Sequence, residues 1–150
     1  MNPTYTVSRS ARIDAPPERV YNIIRDYHQG HPSILPKAFR NLRVEAGGVG
    51  AGTKIRFDAT VLGRTQQYVG VISEPEPGRV LVERYSEPTD SVTTFIVEPY
   101  DGGRAATVTF RTEMPGRGGL AGRVERWLTN RVLQPIYSEE LKNLAERATA

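Results

Sequence analysis

The hydrophobic pattern of the chain is most regular near its carboxyl end. Apolar residues recur at three- and four-residue spacing over residues 120–148, which predicts one helix of about thirty residues. Pro135 lies where the apolar positions change face, and because proline removes a backbone donor we expect a kink or break over residues 131–135. The apolar positions form two stripes, displaced by about a third of a turn: Leu120, Val124, Trp127 and Leu128, then Leu133, Tyr137, Leu141, Leu144 and Ala148.

Most of the preceding chain shows a different pattern, in which apolar and polar residues alternate. In residues 53–62, for example, Ile55, Phe57 and Ala59 alternate with polar side chains, which is typical of a strand with one buried face. The alternation predicts seven strands, over residues 4–13, 39–46, 53–62, 65–73, 79–85, 92–97 and 105–114. Prolines and an acidic residue after the first strand predict a short helix, and a single helical turn is expected at residues 33–35.

The order of these elements indicates the fold class. Strands joined by short turns pair antiparallel, and a sheet needs cover for one face. The helix at 120–148 is the element long enough to provide that cover. We therefore expect one α+β domain over residues 1–150, in which a curved antiparallel sheet of about seven strands packs on the C-terminal helix.

Composition narrows the possible functions. The chain has 150 residues, no cysteine and a net charge of +3. Absent cysteine removes disulfides, thiolate chemistry and cysteine metal sites, and it fits a reducing cytoplasm. The basic residues are scattered, so no nucleic-acid partner is expected, and no stretch is apolar enough to span a membrane or to form a signal-peptide core. The densest basic group is interpreted as a solvated helix face: Arg117, Arg123, Arg126 and Arg131.

A glycine-rich segment, residues 47–54, is close in sequence to a phosphate-binding loop. It ends in Thr-Lys rather than Lys-Thr or Lys-Ser, and a predicted strand follows it. A phosphate-binding loop needs the N-terminus of a helix at that point. The segment is therefore interpreted as a hairpin turn.

Four local motifs resemble those of one superfamily. Residues 13–21 (IDAPPERVY) resemble the opening of the START-like, polyketide cyclase/dehydrase and birch-pollen-allergen-like superfamily. Residues 50–53 resemble its second-hairpin entry, residues 74–81 its turn between middle strands, and residues 102–109 its last hairpin. The resemblance covers nearly the whole chain. It implies the helix-grip fold, in which the sheet wraps around the C-terminal helix and two short helices follow the first strand.

The resemblance also implies a cavity between sheet and helix that receives a hydrophobic or aromatic small molecule of lipid, steroid or polyketide type. Some members are polyketide cyclases or aromatases, and many are carriers or receptors. The superfamily shares no catalytic signature, so catalysis stays open and no catalytic residue is assigned. We expect no cofactor, and a monomer or a homodimer.

Aromatic residues on elements that face the sheet–helix space are the expected ligand-binding residues. A phenol combines an apolar ring with one directional hydroxyl, which suits flat oxygenated ligands, and plain core packing is the alternative. An inward-pointing arginine on the first helix stripe completes the set, with a solvated arginine as the alternative. The expected set is Tyr27, Phe57, Tyr68, Tyr85, Phe95, Phe110, Trp127, Arg131 and Tyr137.

The two histidines, His28 and His31, lie near Asp26 and raise the possibility of a metal site. The chain-breaking residues around them argue against a shared geometry, and no fourth ligand is suggested, so no metal is expected. A surface loop is the simpler interpretation. The alternative is a hydrogen-bond donor or general base at the mouth of the cavity.

Three hypotheses for function follow. The first is a small-molecule-binding protein, and the second is a cyclase or aromatase that uses the same cavity. The third is an interaction module whose arginine-bearing helix face docks an acidic partner. The enzyme hypothesis requires at least one inward polar residue among Glu83, Arg111, Glu113, Arg131 and His31. The three on strands are expected on the convex, solvated face of the sheet.

Overall fold

The secondary-structure elements follow one another in the order that the hydrophobic pattern predicts. The computed structural model describes residues 4–150; residues 1–3 of the predicted domain lie outside the described part. The elements are β1 (Thr4–Ile13), α1 (Pro17–Arg25), α2 (Gly30–Ile34), β2 (Phe39–Ala46), β3 (Lys54–Val61), β4 (Arg64–Glu76), β5 (Val80–Glu87), β6 (Ser91–Tyr100), a 3₁₀ turn (Asp101–Gly103), β7 (Ala105–Pro115) and α3 (Gly119–Thr149).

The seven strands form one antiparallel sheet in the order β1-β7-β6-β5-β4-β3-β2. Strands β2 to β6 each pair with the next strand in sequence. Strand β1 instead pairs with β7 along its whole length, from Thr4 opposite Pro115 to Ile13 opposite Ala106. The sheet is open, because β1 and β2 do not pair with each other. The predicted α+β helix-grip architecture is confirmed.

Irregularities in two strand pairs favour a curved sheet. The register shifts twice between β2 and β3 and twice between β4 and β5. An extra residue on one strand bends that strand and increases its twist. These shifts lie in the half of the sheet that is remote from β1.

The core lies between one face of the sheet and the second half of α3. Alternate residues of the strands are buried, and fully burying an aliphatic or phenylalanine side chain contributes about 1.5–3 kcal/mol. The helix side of this core is formed by Tyr137, Leu141, Leu144 and Ala148. The sheet side includes Ile55, Leu81, Phe95, Val97, Val108 and Phe110.

Helix α3 runs as one helix from Gly119 to Thr149, through Pro135. The sequence predicts a kink or break over residues 131–135, and the break does not occur. Pro135 removes the hydrogen bond to the Arg131 carbonyl, but both residues are exposed. Water therefore remains available to that carbonyl, which limits the cost of the proline.

The two apolar stripes of α3 have different surroundings. The second stripe is buried, whereas Leu120 is 75% exposed, Val124 55% and Trp127 61%. Because the helix continues through Pro135, the offset of about a third of a turn between the stripes persists. The first stripe is therefore mostly exposed to solvent and is not part of the buried core.

Candidate functional site

A cavity of about 270 Å³ lies between the sheet and α3. All seven strands contribute to its wall, together with α2, α3 and the loop residues Leu35 and Thr89. Its lining divides into an aromatic wall and a polar end. The aromatic wall is formed by Phe39, Phe57, Tyr68, Tyr85 and Phe95, and the polar end by His31, Glu83, Thr93, Thr112, Tyr137 and Glu140.

The aromatic wall is built from cross-strand pairs. Phe57 lies opposite Tyr68 in the β3–β4 register, and their rings stack with centroids 5.2 Å apart. Tyr85 meets both rings edge-on, at 5.9 and 5.6 Å. Gly70 on β4 leaves room for the Tyr85 ring, since a Cβ at this glycine would lie 2.9 Å from it. Stacked and edge-on contacts of this kind give strands β3 to β5 a continuous aromatic surface.

The polar end contains a row of buried polar residues that crosses three strands. Glu83 lies opposite Thr93 in the β5–β6 register, and Thr93 lies opposite Thr112 in the β6–β7 register. The hydroxyls of Thr93 and Thr112 are 2.8 Å apart, and the Tyr137 hydroxyl of α3 bonds to Thr112. Burial raises the pKa of Tyr137 above its ordinary value. The row therefore joins the sheet to α3 by hydrogen bonds within the core.

Glu83 is only 3% exposed and is held by two phenols. The Tyr27 hydroxyl donates to Oε2 of Glu83, and the Tyr85 hydroxyl donates to Oε1. Burial and the neighbouring charge of Glu83 raise the pKa of both tyrosines well above the ordinary value, so both keep the protons they donate. A buried carboxylate needs such donors to offset its lost hydration.

His31 completes this cluster. Its Nδ1 atom is 2.8 Å from the Ile24 carbonyl oxygen, and a carbonyl only accepts, so Nδ1 carries a proton. The ring stacks on Tyr27 at 4.5 Å and meets Phe95 edge-on at 5.6 Å. Its Nε2 atom is 3.6 Å from Oε2 of Glu83. Nε2 is therefore the ring atom directed toward the carboxylate.

The interpretation of His31 as a surface-loop residue is wrong, since it is 3% exposed. Helix α2 packs tightly against α1 at this point. A Cβ at Gly30 would lie 2.4 Å from the Ile23 carbonyl oxygen, so this close approach requires a glycine. The packing turns the histidine ring inward.

Glu140 reaches the polar end from α3 and is 4% exposed. No hydrogen bond within residues 4–150 reaches its carboxyl group, unlike that of Glu83. Burial, with a further contribution from the charge of Glu83, raises the pKa of Glu140 well above its ordinary value. Its surroundings therefore favour the neutral form of Glu140 over the carboxylate.

Five of the nine expected ligand-binding residues line the cavity: Phe57, Tyr68, Tyr85, Phe95 and Tyr137. Two others are buried behind its wall. The Tyr27 hydroxyl donates a hydrogen bond to Glu83. The Phe110 ring lies edge-on to the rings of Phe95 and Tyr137, with centroids 4.8 and 6.3 Å apart. Their rings support the lining residues without forming the cavity surface.

Trp127 and Arg131 lie outside the cavity lining. The Arg131 guanidinium lies over the Trp127 ring, 5.5 Å from its centroid, and both residues are exposed. They belong to the helix face that the continuous α3 turns away from the sheet. The other arginines of this region, Arg117, Arg123 and Arg126, are exposed as expected.

The expectation of a solvated Glu83 is wrong, and the sequence contains a signal for its inward position. Glu83 has the same parity along β5 as Leu81 and Tyr85, which face the core. Glu140 likewise follows Tyr137 by three residues on the buried face of α3. The side chains of Arg111 and Glu113 are 43% and 53% exposed, as expected for the solvated face.

The segments considered for metal and phosphate have local roles. Asp26 Oδ1 accepts from the backbone nitrogens of His28 and Gln29, at 3.0 and 3.3 Å. In the part of the chain that the structure describes, no group of three or more histidine or acidic side chains is placed to hold a metal ion. The backbone nitrogens of Gly50 and Gly52 donate to carbonyls of Arg25 and Ile72. The interpretation of residues 47–54 as a turn between strands is confirmed.

Comparison with known proteins identifies relatives of this fold. Residues 4–149 match the sequence profile of the family described as polyketide cyclase/dehydrase and lipid transport. No curated protein matches the chain. Across its described residues, the structure has no helix with the length and apolar character needed to cross a bilayer.

Solved structures resemble the chain over nearly its whole length. The solution structure of the KanY protein is 24% identical, with 99% of each chain covered and a TM-score of 0.85. A protein from Thermus thermophilus is 25% identical, with 97% of each chain covered and a TM-score of 0.77. The Zhui aromatase/cyclase from a Streptomyces species is 16% identical, covering 98% of this chain and 94% of its own, with a TM-score of 0.78. The likeness to KanY and Zhui shows a shared fold.

Proposed function

Because the chain belongs to the polyketide cyclase/dehydrase and lipid transport family, we propose that it binds a hydrophobic or aromatic small molecule in the cavity between the sheet and α3. The observation that carries this proposal is the aromatic wall. The rings of Phe57, Tyr68 and Tyr85 contact one another and line the same cavity. Apolar walls with a few convergent polar groups are typical of small-molecule sites.

The size of the cavity supports a compact ligand. Its volume of about 270 Å³ is just below the range of about 300–1,000 Å³ typical of ligand pockets. A molecule of two or three rings, or a short lipid, fits this volume better than a long acyl chain. The absence of cysteine favours a cytoplasmic location for this binding.

A paired substitution tests the proposal. Native mass spectrometry and equilibrium dialysis against polyketides, steroids and short lipids should identify a ligand that binds at a 1:1 ratio. Tyr68→Leu should weaken that binding about tenfold, because it removes one stacked ring from the wall. Trp127→Leu is the matched control, since this aromatic ring lies outside the cavity lining. No bound ligand, or equal losses from both substitutions, would contradict the proposal.

A second candidate function is cyclase- or aromatase-type catalysis in the same cavity, and the cluster of His31, Glu83 and Glu140 favours it. Nε2 of His31 is a base whenever it carries no proton, and the Glu140 carboxyl group, whose neutral form is favoured by burial, is an acid in the same polar end. His31 would take a proton from the carbon next to a ligand carbonyl while Glu140 gives its proton to the carbonyl oxygen, which yields a neutral enol.

Deuterium exchange tests this second function. The methyl protons of 2-acetylnaphthalene in D₂O should exchange faster with the protein than with buffer alone, as followed by NMR. Both His31→Asn and Glu140→Leu should reduce this exchange toward the buffer rate, whereas His28→Asn should not, because His28 is exposed and outside the cavity lining. Exchange at the buffer rate with the unaltered protein would argue against catalysis and leave binding intact.

A further inference from the structure

The polar end of the cavity contains one acid without an internal partner. Five buried titratable side chains line the cavity: His31, Glu83, Tyr85, Tyr137 and Glu140. The first four form hydrogen bonds to protein groups. Among residues 4–150, no hydrogen bond reaches the carboxyl group of Glu140.

The Glu140 oxygens face open space. Within the described chain, Nε of Arg111 is the one fully enclosed side-chain polar atom without a hydrogen-bond partner. The Glu140 oxygens also lack a partner, so they are not fully enclosed, and Glu140 lines the cavity. They therefore open onto the cavity.

Among the described residues, the cavity lining contains glutamates but no lysine or arginine. Glu83, Glu125 and Glu140 line the cavity, and no lysine or arginine of residues 4–150 does so. Glu125 bonds to Arg117 at 2.9 Å, and Glu83 is held by its two phenols. A ligand anion would therefore enter a region of low dielectric constant beside the Glu83 carboxylate without a lysine or arginine of the described lining to pair with it.

The same surroundings determine the chemical form of Glu140. An ionised carboxyl group without a donor or a cation is costly to bury, so the neutral form is favoured. A neutral carboxyl group has one O–H to donate. Without an acceptor in the protein, this donor is available to a ligand.

We propose that the cavity selects uncharged ligands with a carbonyl oxygen, which accepts a hydrogen bond from the Glu140 carboxyl group, and that it rejects ligands with a carboxylate. This inference rests on the proposed small-molecule-binding function and specifies its ligand class. The ring system of the ligand lies along the aromatic wall of Phe57, Tyr68 and Tyr85, and its carbonyl lies at the polar end. A ligand carboxylate meets the charge of Glu83, and no lining lysine or arginine of residues 4–150 is there to pair with it.

Four naphthalene derivatives of similar size test this selectivity at pH 7: 2-acetylnaphthalene, 2-ethylnaphthalene, 2-naphthoate and 2-naphthylmethylammonium. Their dissociation constants can be measured by equilibrium dialysis with naphthalene fluorescence as the readout. We expect the ketone to bind about tenfold more tightly than the hydrocarbon, which corresponds to one net hydrogen bond. Naphthoate should bind more weakly than the hydrocarbon. The proposal is overturned if naphthoate binds as tightly as the ketone, or if the ammonium compound binds most tightly of the four.

Substitutions then assign the selectivity to one side chain. Glu140→Leu should reduce the affinity for the ketone to the level of the hydrocarbon. The affinity for the hydrocarbon itself should not change. Glu140→Gln keeps a donor and should retain the ketone preference within about threefold. Glu125→Gln is the control, because it removes a carboxyl group paired with Arg117 and should leave the order of the four ligands unchanged. A ketone preference that survives in Glu140→Leu would overturn the proposal.

The outcomes separate this inference from the function on which it rests. If the hydrocarbon binds and the ketone binds no more tightly, the proposed binding function stands. The assignment of carbonyl recognition to Glu140 is then wrong. If none of the four binds, the proposed function fails and the inference fails with it. Circular dichroism of each variant establishes that the fold is retained before binding is compared.

Discussion

Nε2 of His31 lies 3.6 Å from Oε2 of Glu83, and both side chains are only 4% exposed. The opposite ring nitrogen, Nδ1, is committed to the Ile24 carbonyl. The backbone of α1 thus fixes which nitrogen of this ring faces the acidic cluster. A histidine oriented in this way has one nitrogen free to exchange a proton with the cavity.

We expect Nδ1 of His31 to be protonated across the pH range in which the protein is folded, because a carbonyl can only accept. Long-range ¹H–¹⁵N correlation spectra measure the protonation of each ring nitrogen. His28 is exposed and provides an internal control, with the tautomer mixture typical of a solvated ring. A His31 ring protonated only at Nε2 would contradict the structure.

Glu140→Gln should stabilise the protein at alkaline pH more than at acidic pH. The unfolded chain releases the Glu140 proton near the ordinary pKa of 4.5, whereas the folded chain retains it to higher pH. The free energy of unfolding of the unaltered protein therefore falls as pH rises above about 4.5. The glutamine amide of Glu140→Gln does not titrate, so the variant lacks this decrease. We expect a gain of about 1 kcal/mol or more at pH 8 relative to pH 5, from urea denaturation.

The neighbouring residue gives the matched control for this experiment. Glu139 is exposed, so Glu139→Gln should leave the pH dependence of unfolding nearly unchanged. The same pH dependence in Glu140→Gln and in the unaltered protein would show that Glu140 is ionised in the folded state.

Glu74→Gln should have the opposite dependence on pH. Glu74 accepts from Arg25 at 3.1 and 3.2 Å, from the Tyr21 hydroxyl at 2.7 Å and from the Ala51 nitrogen at 2.8 Å. The bonds from Arg25, with those from Tyr21 and Ala51, lower the pKa of Glu74 to about 2. The folded carboxylate therefore stabilises the protein above pH 4.5, and this contribution is lost as pH falls toward 2.

We expect Glu74→Gln to cost about 2–3 kcal/mol at pH 7 and progressively less below pH 4. Urea denaturation from pH 7 to pH 3 measures the difference. Glu76→Gln is the control, because Glu76 is exposed and lies on the same strand. An equal cost for Glu74→Gln at pH 7 and pH 3 would count against an ionic role for Glu74.

Gly70→Ala should destabilise the protein through Tyr85. The new Cβ would lie 2.9 Å from the Tyr85 ring, whose hydroxyl is held by Glu83. We expect a cost of about 1–3 kcal/mol, typical of overpacking a core. In a Tyr85→Leu background the same substitution should cost much less, and this double-mutant cycle is measured by thermal unfolding. If Gly70→Ala lowers stability equally with and without Tyr85→Leu, the Tyr85 ring is not the cause of the destabilisation.

The strand pattern could be predicted from the sequence because it depends on local alternation. All seven strands and the long helix occur close to their predicted bounds. The orientation of the first half of α3 could not be predicted from the sequence, because it depends on whether the helix continues through Pro135. The helix continues through Pro135, and Trp127 on its first half is exposed.

The site was predictable only in part, for a similar reason. Phe57 and Tyr85 lie in strands whose alternation places them inward, and the same parity applies to Glu83. The inward position of Glu83 conflicts with the usual exposure of charged residues, and its phenol donors come from separate segments. The placement of His31 depends on the packing of the five-residue helix α2 against α1, which carries no periodic signal.

The pairing of β1 with β7 has a consequence for how the chain folds. Ser8 lies opposite Arg111, so the first strand finds its partner some 100 residues later. Contacts this far apart in sequence slow folding, because a long loop must close before the contacts form. During synthesis, β1 cannot pair until β7 has left the ribosome. We therefore expect the hairpins of β2 to β6 to form before the sheet is complete.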